Sequence, residues 1–156
     1  QMRFQYNDGG RQASGYKGNA GDCVTRAIAI ATGKPYQEVY DTLNDLGKFE
    51  RTGKRKGGKS SARNGVYKAT YHKYLASLGW KWTPTMHIGS GCKIHLVDGE
   101  LPDGRLVVTI SKHLTAVIDG VINDTFDPRR STIFAENGIQ RIAGRCVYGY
   151  WKELTR

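Results

Sequence analysis

The chain has 156 residues, 38% of them hydrophobic, with 24 Lys and Arg against 14 Asp and Glu and a net charge of +10. This length is enough for one domain, over 1–156, whose core needs no disulfide or metal to be stable. Three cysteines, an odd number at irregular spacing, argue against a disulfide framework and favour a reducing, cytoplasmic location. The absence of an apolar run of membrane-spanning length or a signal-peptide pattern leads us to expect no membrane partner.

Two helices are predicted in the first third of the chain. Residues 1–21 are polar and rich in glycine, which predicts an irregular opening segment. Asp22 is a good N-cap for a helix over 23–32, which Gly33 ends. Alanine and isoleucine occupy nearly every face of this helix, so we expect it to be buried on most sides. A second helix, with apolar residues along one stripe, is predicted over 35–47.

The apolar period then changes from that of helices to that of strands. A third helix is predicted over 66–78, and Gly79 ends it. Strands are predicted at 80–82, 106–110, 114–118, 121–125 and 146–151. Helices followed by strands are the order of an α+β domain, in which N-terminal helices pack on a C-terminal antiparallel sheet.

A strongly basic segment separates the second and third helices. Its glycines and serines predict a mobile loop at 51–65. Such a loop could bind nucleic acid or an acidic partner, although no aromatic residue is present to stack on bases. The simpler interpretation is a solvated loop that keeps the protein soluble. The candidate polyanion-binding residues are Lys54, Arg55, Lys56 and Lys59.

Two other motifs lack the surroundings that their chemistry needs. Residues 53–60 match the phosphate-binding pattern GxxxxGKS, but a charged, helix-like segment precedes them in place of a buried strand. Cys92 and His95 lie three residues apart, but two ligands do not make a zinc site. We therefore predict no nucleotide, metal or other cofactor.

Cys23 stands at the predicted start of the first helix, a position with a direct chemical consequence. The positive end of the helix dipole lowers the pKa of a thiol placed there, and the thiolate is the nucleophile. Unpaired backbone N–H groups at the same end can hold an oxyanion. The alternative is a cysteine that serves as a small core residue, and its position alone does not decide between the two.

A predicted hairpin supplies the other groups that acyl transfer needs. The Asp-Gly pair at 119–120 is a strong two-residue turn signal between apolar runs. This turn predicts that Thr115 faces Asp124, so that His113 and Asp124 share one face. Their Cα atoms would lie roughly 7–8 Å apart, close enough for the side chains to meet. Asp127 falls on the opposite face, and a shift of one residue would exchange the two carboxylates.

These residues carry a resemblance to known families. A cysteine that opens a central helix, followed by a hairpin with histidine and then aspartate, resembles the papain-like fold of cysteine peptidases and transglutaminase-like enzymes. Residues 21–29, GDCVTRAIA, are also similar to the active-site segment of ovarian-tumour-type deubiquitinases. Residues 113–128 resemble transglutaminases and bacteriocin-processing peptidases. The whole chain resembles uncharacterised small proteins of bacteria and phages, which implies no activity.

The resemblance implies a papain-like cysteine peptidase or isopeptidase that forms a thioester with a peptide or protein substrate. Carried over by position, Cys23 would be the nucleophile, His113 the general base and Asp124 the group that orients the imidazole. The same triad would serve a transglutaminase-like acyl transferase if an amine replaced water. The non-catalytic alternative is a basic module that binds nucleic acid or an acidic partner through residues 51–63.

The oxyanion donor is where the chain departs from papain-like peptidases. Those enzymes place a glutamine six residues before the cysteine, and Lys17 stands there instead. Asn19 could donate a side-chain amide if the loop bends toward the thiol, and Gln12 is a more distant candidate. Backbone N–H groups would suffice in the manner that the resemblance to transglutaminases implies.

Overall fold

The structure is a computed structural model that describes residues 2–51, 58–130 and 132–154. Within this part of the chain, three helices and two sheets form an α+β arrangement. None of the described helices has the length and apolar character needed to cross a membrane.

The helices lie close to their predicted positions. They are α1 Cys23–Thr32, α2 Tyr36–Gly47 and α3 Lys68–Ser77. Helix α1 ends at Gly33, whose φ of 76° costs glycine little. All residues of α1 except its first and last are buried, as its alanine and isoleucine content predicts.

The strands form one large sheet and one hairpin. They are β1 Arg3–Tyr6, β2 Trp80–Pro84, β3 Arg105–Ile110, β4 His113–Ile118, β5 Val121–Asp124, β6 Thr132–Glu136, β7 Ile139–Ala143 and β8 Gly149–Glu153. The large sheet has the order β1-β5-β4-β3-β8-β2, and β6 pairs with β7. Strand β1 runs parallel to β5, whereas the other neighbours are antiparallel. The six-stranded sheet is therefore mixed, which corrects the prediction of an antiparallel sheet.

Two further parts of the sheets differ from the sequence-based prediction. Strand β1 lies in the segment predicted to be irregular, and its residues are mostly exposed, so no apolar alternation signals it. Its pairing with a strand more than a hundred residues later makes it a strand. Strand β8 begins at Gly149 rather than Cys146, and the sequence pattern does not predict the β6–β7 hairpin.

The core lies on both faces of the large sheet. Val107 packs with α1 on one face, and Leu106 and Val108 pack in a second cluster on the other, as the pleat of a strand requires. These three side chains are 0% exposed, and burial of each stabilises the fold by roughly 1.5–3 kcal/mol. Helix α1 packs mainly on β4 and also contacts β3. This packing brings Cys23, at the N-terminal end of α1, to His113 at the start of β4.

Cys92 and Cys146 form a disulfide bond, with Cα atoms 5.8 Å apart. This corrects the expectation that the cysteine count argues against disulfides. An odd number leaves one cysteine unpaired but does not prevent a pair, and a β-bridge between His95 and Cys146 brings the two segments together. Cys23 is the free cysteine. The inference of a reducing compartment, which depended on the cysteine count, loses that support.

The described part of the basic segment comprises Arg51 and residues 58–65. In this part the Lys59 ammonium donates a 2.9 Å hydrogen bond to the Lys48 carbonyl, and Ala62 is buried. The remaining candidate polyanion-binding residues lie outside the described residues, and they are Lys54, Arg55 and Lys56.

Candidate active site

The N-terminal end of α1 and the start of β4 bring a thiol and an imidazole together. The side chain of His113 and the backbone N–H of Leu114 lie close enough to Cys23 to lower the pKa of its thiol, and all three residues line one cleft. Cys23 is half-buried and lines this cleft. The thiol is also the first side chain of α1, where the partial positive charge of the helix end favours a thiolate.

Asp124 holds the other side of the imidazole. His113 Nε2 lies 2.7 Å from Asp124 Oδ2, and the Thr115 hydroxyl donates to the same oxygen at 2.7 Å. The second oxygen, Oδ1, accepts the backbone N–H of Thr125 at 2.7 Å. Because Nε2 faces Asp124, Nδ1 is the ring nitrogen left for Cys23. The imidazole thus lies between the Cys23 thiol and the Asp124 carboxylate and is hydrogen-bonded to the carboxylate.

The register of the β4–β5 hairpin is the one that the sequence predicts. Ala116 pairs with Asn123, and the turn residues Asp119 and Gly120 have φ values of 47° and 79°. Asp127 forms an ion pair with a neighbouring arginine, at 2.6 Å. The structure therefore brings the predicted Cys, His and Asp together and leaves the alternative carboxylate elsewhere.

The pKa values of the three groups favour an ion pair. Burial acts to raise the pKa of Cys23, but the nearby His113 side chain, the backbone N–H of Leu114 and the positive charges of His113 and Arg26 lower it overall. Burial acts to lower the pKa of His113, but its hydrogen bonds and the charges of its two partners raise it to about 9. Burial opposes ionisation of Asp124, yet hydrogen bonds from His113 and Thr115 lower its pKa. Both shifts favour a thiolate next to an imidazolium over the neutral thiol and imidazole.

Behind Asp124 lies a second set of buried charges that the sequence reasoning missed. One Nη of Arg26 lies 3.6 Å from Asp124 Oδ1, and the other pairs with Asp22. Asp22 also accepts the Tyr36 hydroxyl at 2.6 Å and faces Arg11 Nε at 3.2 Å. Arg26 and Asp22 are both buried. A carboxylate that faces both an imidazole and an arginine is held in place from two sides.

This network changes the role of Asp22. The residue precedes α1 as predicted, but its side chain makes no capping hydrogen bond, because its oxygens are taken by Arg26 and its other partners. The positive charge of Arg26 also helps to lower the pKa of Cys23. The spacing of Asp22 and Arg26, four residues apart, is a helical ion-pair signal. That signal does not reveal that the pair is buried behind a His–Asp contact.

A cleft of about 540 Å³ opens beside Cys23 and His113. Its walls are largely apolar and aromatic, which suits a peptide side chain. Further lining residues are Tyr71, Trp82, Pro84, Met86, Tyr148, Lys68 and Lys112.

The cleft offers oxyanion donors other than the predicted one. Asn19 is exposed and lines a separate polar cavity of about 440 Å³, together with Gln12, so its role as a donor stays a prediction. The backbone N–H groups of Cys23 and Val24 precede the first intrahelical hydrogen bond of α1 and lie at the cleft.

Tyr71 brings a hydroxyl to the same cleft, and the sequence pattern gave no indication of it. The residue is 7% exposed and lies on α3, which packs against β2 and α2. Burial raises the pKa of Tyr71, the nearby Thr109 hydroxyl lowers it, and the negative charge at Cys23 raises it. The Thr109 oxygen has no partner within hydrogen-bond distance, so the two hydroxyls are neighbours rather than bonded. A phenol kept protonated beside a thiolate can donate to a substrate oxygen.

Comparison of the chain with protein-family models, curated proteins and solved structures finds no match. Among the described residues, no group of three or more His, Cys, Asp or Glu side chains is arranged to hold a metal ion. The chemistry of the site is therefore inferred from its own geometry.

Proposed function

We propose that the protein is a cysteine hydrolase of papain-like type that cleaves an amide bond in a peptide or protein. The observation that carries this proposal is the position of His113, which lies beside the Cys23 thiol and is hydrogen-bonded to Asp124. Nucleophile, base and orienting carboxylate in contact, at the wall of an apolar cleft, are the parts that thiol acyl transfer needs.

The first half of the reaction is acylation of Cys23. The thiolate attacks the carbonyl carbon, and a C–S bond forms as the carbonyl electrons move to oxygen. The backbone N–H groups at the start of α1 and the Tyr71 hydroxyl stabilise this oxyanion. The His113 imidazolium then gives its proton to the leaving amine as the C–N bond breaks, which leaves a thioester.

The second half of the reaction releases the acid. Neutral His113 takes a proton from water, and the resulting hydroxide attacks the thioester carbonyl. Collapse of the tetrahedral intermediate breaks the C–S bond and expels the Cys23 thiolate, next to the imidazolium that formed when His113 took the proton from water. Asp124 keeps Nε2 as the donor to its carboxylate and directs Nδ1 to the sulfur throughout.

Hydrolysis is favoured over the alternatives for two physical reasons. An acyl transferase must hold an amine acceptor, and none of the described residues that line the cleft is an acid that would bind an ammonium group. A binding module that acts through residues 51–63 has three of its six cations outside the described residues, so this alternative stays a prediction. It does not account for a cysteine with a lowered pKa in contact with histidine.

The proposal is tested by incubating the protein with a mixture of unmodified peptides and identifying new termini by mass spectrometry. Wild-type protein should produce new N-termini, and Cys23→Ala and His113→Ala should produce none. A thioester should also be trapped at Cys23 by acid quenching of the wild-type reaction. New termini that persist in Cys23→Ala would assign the cleavage to a contaminant and refute the proposal.

A further inference from the structure

The cleft beside Cys23 carries positive charge without a compensating carboxylate. Lys68 begins α3 and Lys112 directly precedes His113, and both exposed side chains line the cleft. No acidic residue lines the cleft within the described part of the chain. The ion pairs within the described part of the chain involve other cations, so the ammonium groups of Lys68 and Lys112 are available to a ligand.

The backbone at Lys112 holds this cation in an unusual place. Its φ is 54°, in the left-handed region that glycine, asparagine and aspartate tolerate best. The other non-glycine residues with positive φ in the described chain are Asp119 and Asn137, which belong to the tolerant types. Lysine therefore occupies a turn position that a smaller residue would fill at lower cost, immediately before the imidazole. Such departures concentrate at functional sites.

Lys68 lies on α3, a different element of the cleft from the one that carries Lys112. Its Nζ lies 5.6 Å from the centroid of the Trp82 ring, a cation–π contact that keeps the ammonium at the wall. Trp82 is itself part of that wall. Gly65 and Val66 line both the cleft and an adjoining depression that contains Lys59, so the positive surface continues beyond the cleft.

We propose that the cleft selects acidic peptides, with an apolar side chain against Trp82 and a carboxylate between Lys68 and Lys112. This inference rests on the proposed function of Cys23 and names its substrate class. Two lysines contributed by different elements can hold one carboxylate without a dedicated arginine fork. An acidic peptide is favoured over nucleic acid because the cleft is lined mainly by apolar side chains, with Lys68 and Lys112 as its cations.

Alkylation of Cys23 by two matched reagents tests the charge preference without a known substrate. Iodoacetate and iodoacetamide both form a C–S bond with loss of iodide, but only iodoacetate carries a carboxylate. The variants are Lys68→Gln, Lys112→Gln and the double variant. Lys73→Gln is the matched control, because Lys73 is an exposed lysine of α3 that does not line the cleft.

The measured quantity is the ratio of the iodoacetate rate to the iodoacetamide rate at low ionic strength. For charges about 7 Å apart in an effective dielectric constant of about 60, each lysine changes this ratio roughly threefold to fourfold. We expect the double variant to lower the ratio about tenfold, and Lys73→Gln to leave it unchanged. A ratio that is unchanged in the double variant, with iodoacetamide labelling still fast, overturns this inference alone. Slow labelling of the wild type overturns the proposed function together with it.

A protection experiment separates the two classes of anion. A glutamate-rich peptide of about twelve residues should slow iodoacetamide labelling of wild-type Cys23 and should have little effect on the double variant. Protection by an oligodeoxynucleotide but not by the peptide would overturn the assignment to acidic peptides. Protection by the peptide that survives in the double variant would overturn the role of Lys68 and Lys112.

Discussion

Replacing Asp124 with asparagine should remove the charge that sustains the imidazolium while leaving the shape of the site in place. The asparagine carbonyl can still accept the Thr115 hydroxyl, but the negative charge 2.7 Å from His113 Nε2 is lost. The pKa of His113 is raised from 6.5 to about 9, and Asp124 supplies the largest of the effects that raise it. We therefore expect the pKa of His113 to return toward its ordinary value in Asp124→Asn.

The size of this effect follows from the pKa rise of His113. A rise from 6.5 to about 9 corresponds to roughly 3 kcal/mol, at 1.36 kcal/mol for each factor of ten. Loss of the share that Asp124 supplies lowers the equilibrium constant for proton transfer from Cys23 to His113 by about one to two powers of ten. Iodoacetamide labelling of Cys23 at pH 6 should slow at least about tenfold. The fold should lose about 1–3 kcal/mol, because Arg26 also loses a buried partner.

The assay is the labelling rate at pH 6, followed by intact mass, with circular dichroism to establish that each variant is folded. Asp127→Asn is the matched control, since Asp127 pairs with Arg129 on another part of the surface. It should label at the wild-type rate. If Asp124→Asn is labelled at the wild-type rate, the carboxylate does not sustain the imidazolium. If the labelling rate falls equally in Asp124→Asn and Asp127→Asn, the hairpin register does not assign Asp124 alone as the partner of His113.

Three further changes test other parts of the site. Arg26→Met removes a charge that lowers the pKa of Cys23, so the labelling rate at pH 6 should fall roughly threefold to tenfold; an unchanged rate in a folded variant would argue that Arg26 is only structural. Tyr71→Phe should lower kcat about tenfold or more and leave the iodoacetamide labelling rate unchanged, because alkylation forms no oxyanion. An equal fall in kcat and in the labelling rate would contradict an oxyanion role. Titration of the denatured, unreduced protein should find one free thiol, and reduction of the Cys92–Cys146 bond should lower the free energy of unfolding by about 4 kcal/mol, from the 54-residue separation. Three titratable thiols would show that the disulfide does not form.

Local signals in the sequence predicted the parts of the site that depend on neighbouring residues. The Asp-Gly turn at 119–120 and the alternation around it predict the register that places His113 beside Asp124. The alanine-rich and isoleucine-rich run after Cys23 predicts a buried helix with the observed ends. In both cases the information lies within about fifteen residues of chain.

Contacts between distant segments were not predictable in the same way. Strand β1 has little apolar pattern of its own and depends on pairing with β5. The partners of Arg26 come from the residue before its helix and from the hairpin, so its spacing from Asp22 indicates only one of its two ion pairs. The Cys92–Cys146 pair likewise depends on a bridge between segments that are far apart in sequence.

The measurement that tests the central claim most directly is the pH dependence of iodoacetamide alkylation at Cys23, mapped by mass spectrometry. When no reductant is present, the Cys92–Cys146 disulfide keeps the other two cysteines from reacting, and His113→Ala is the control. Because the fold lowers the pKa of Cys23 and raises that of His113 to about 9, the thiolate should already react fast below pH 7. In His113→Ala the rise in rate should move to the alkaline range of an ordinary thiol. Slow labelling of the wild type below pH 7, unchanged by the substitution, would make Cys23 a core residue and contradict the proposed hydrolase.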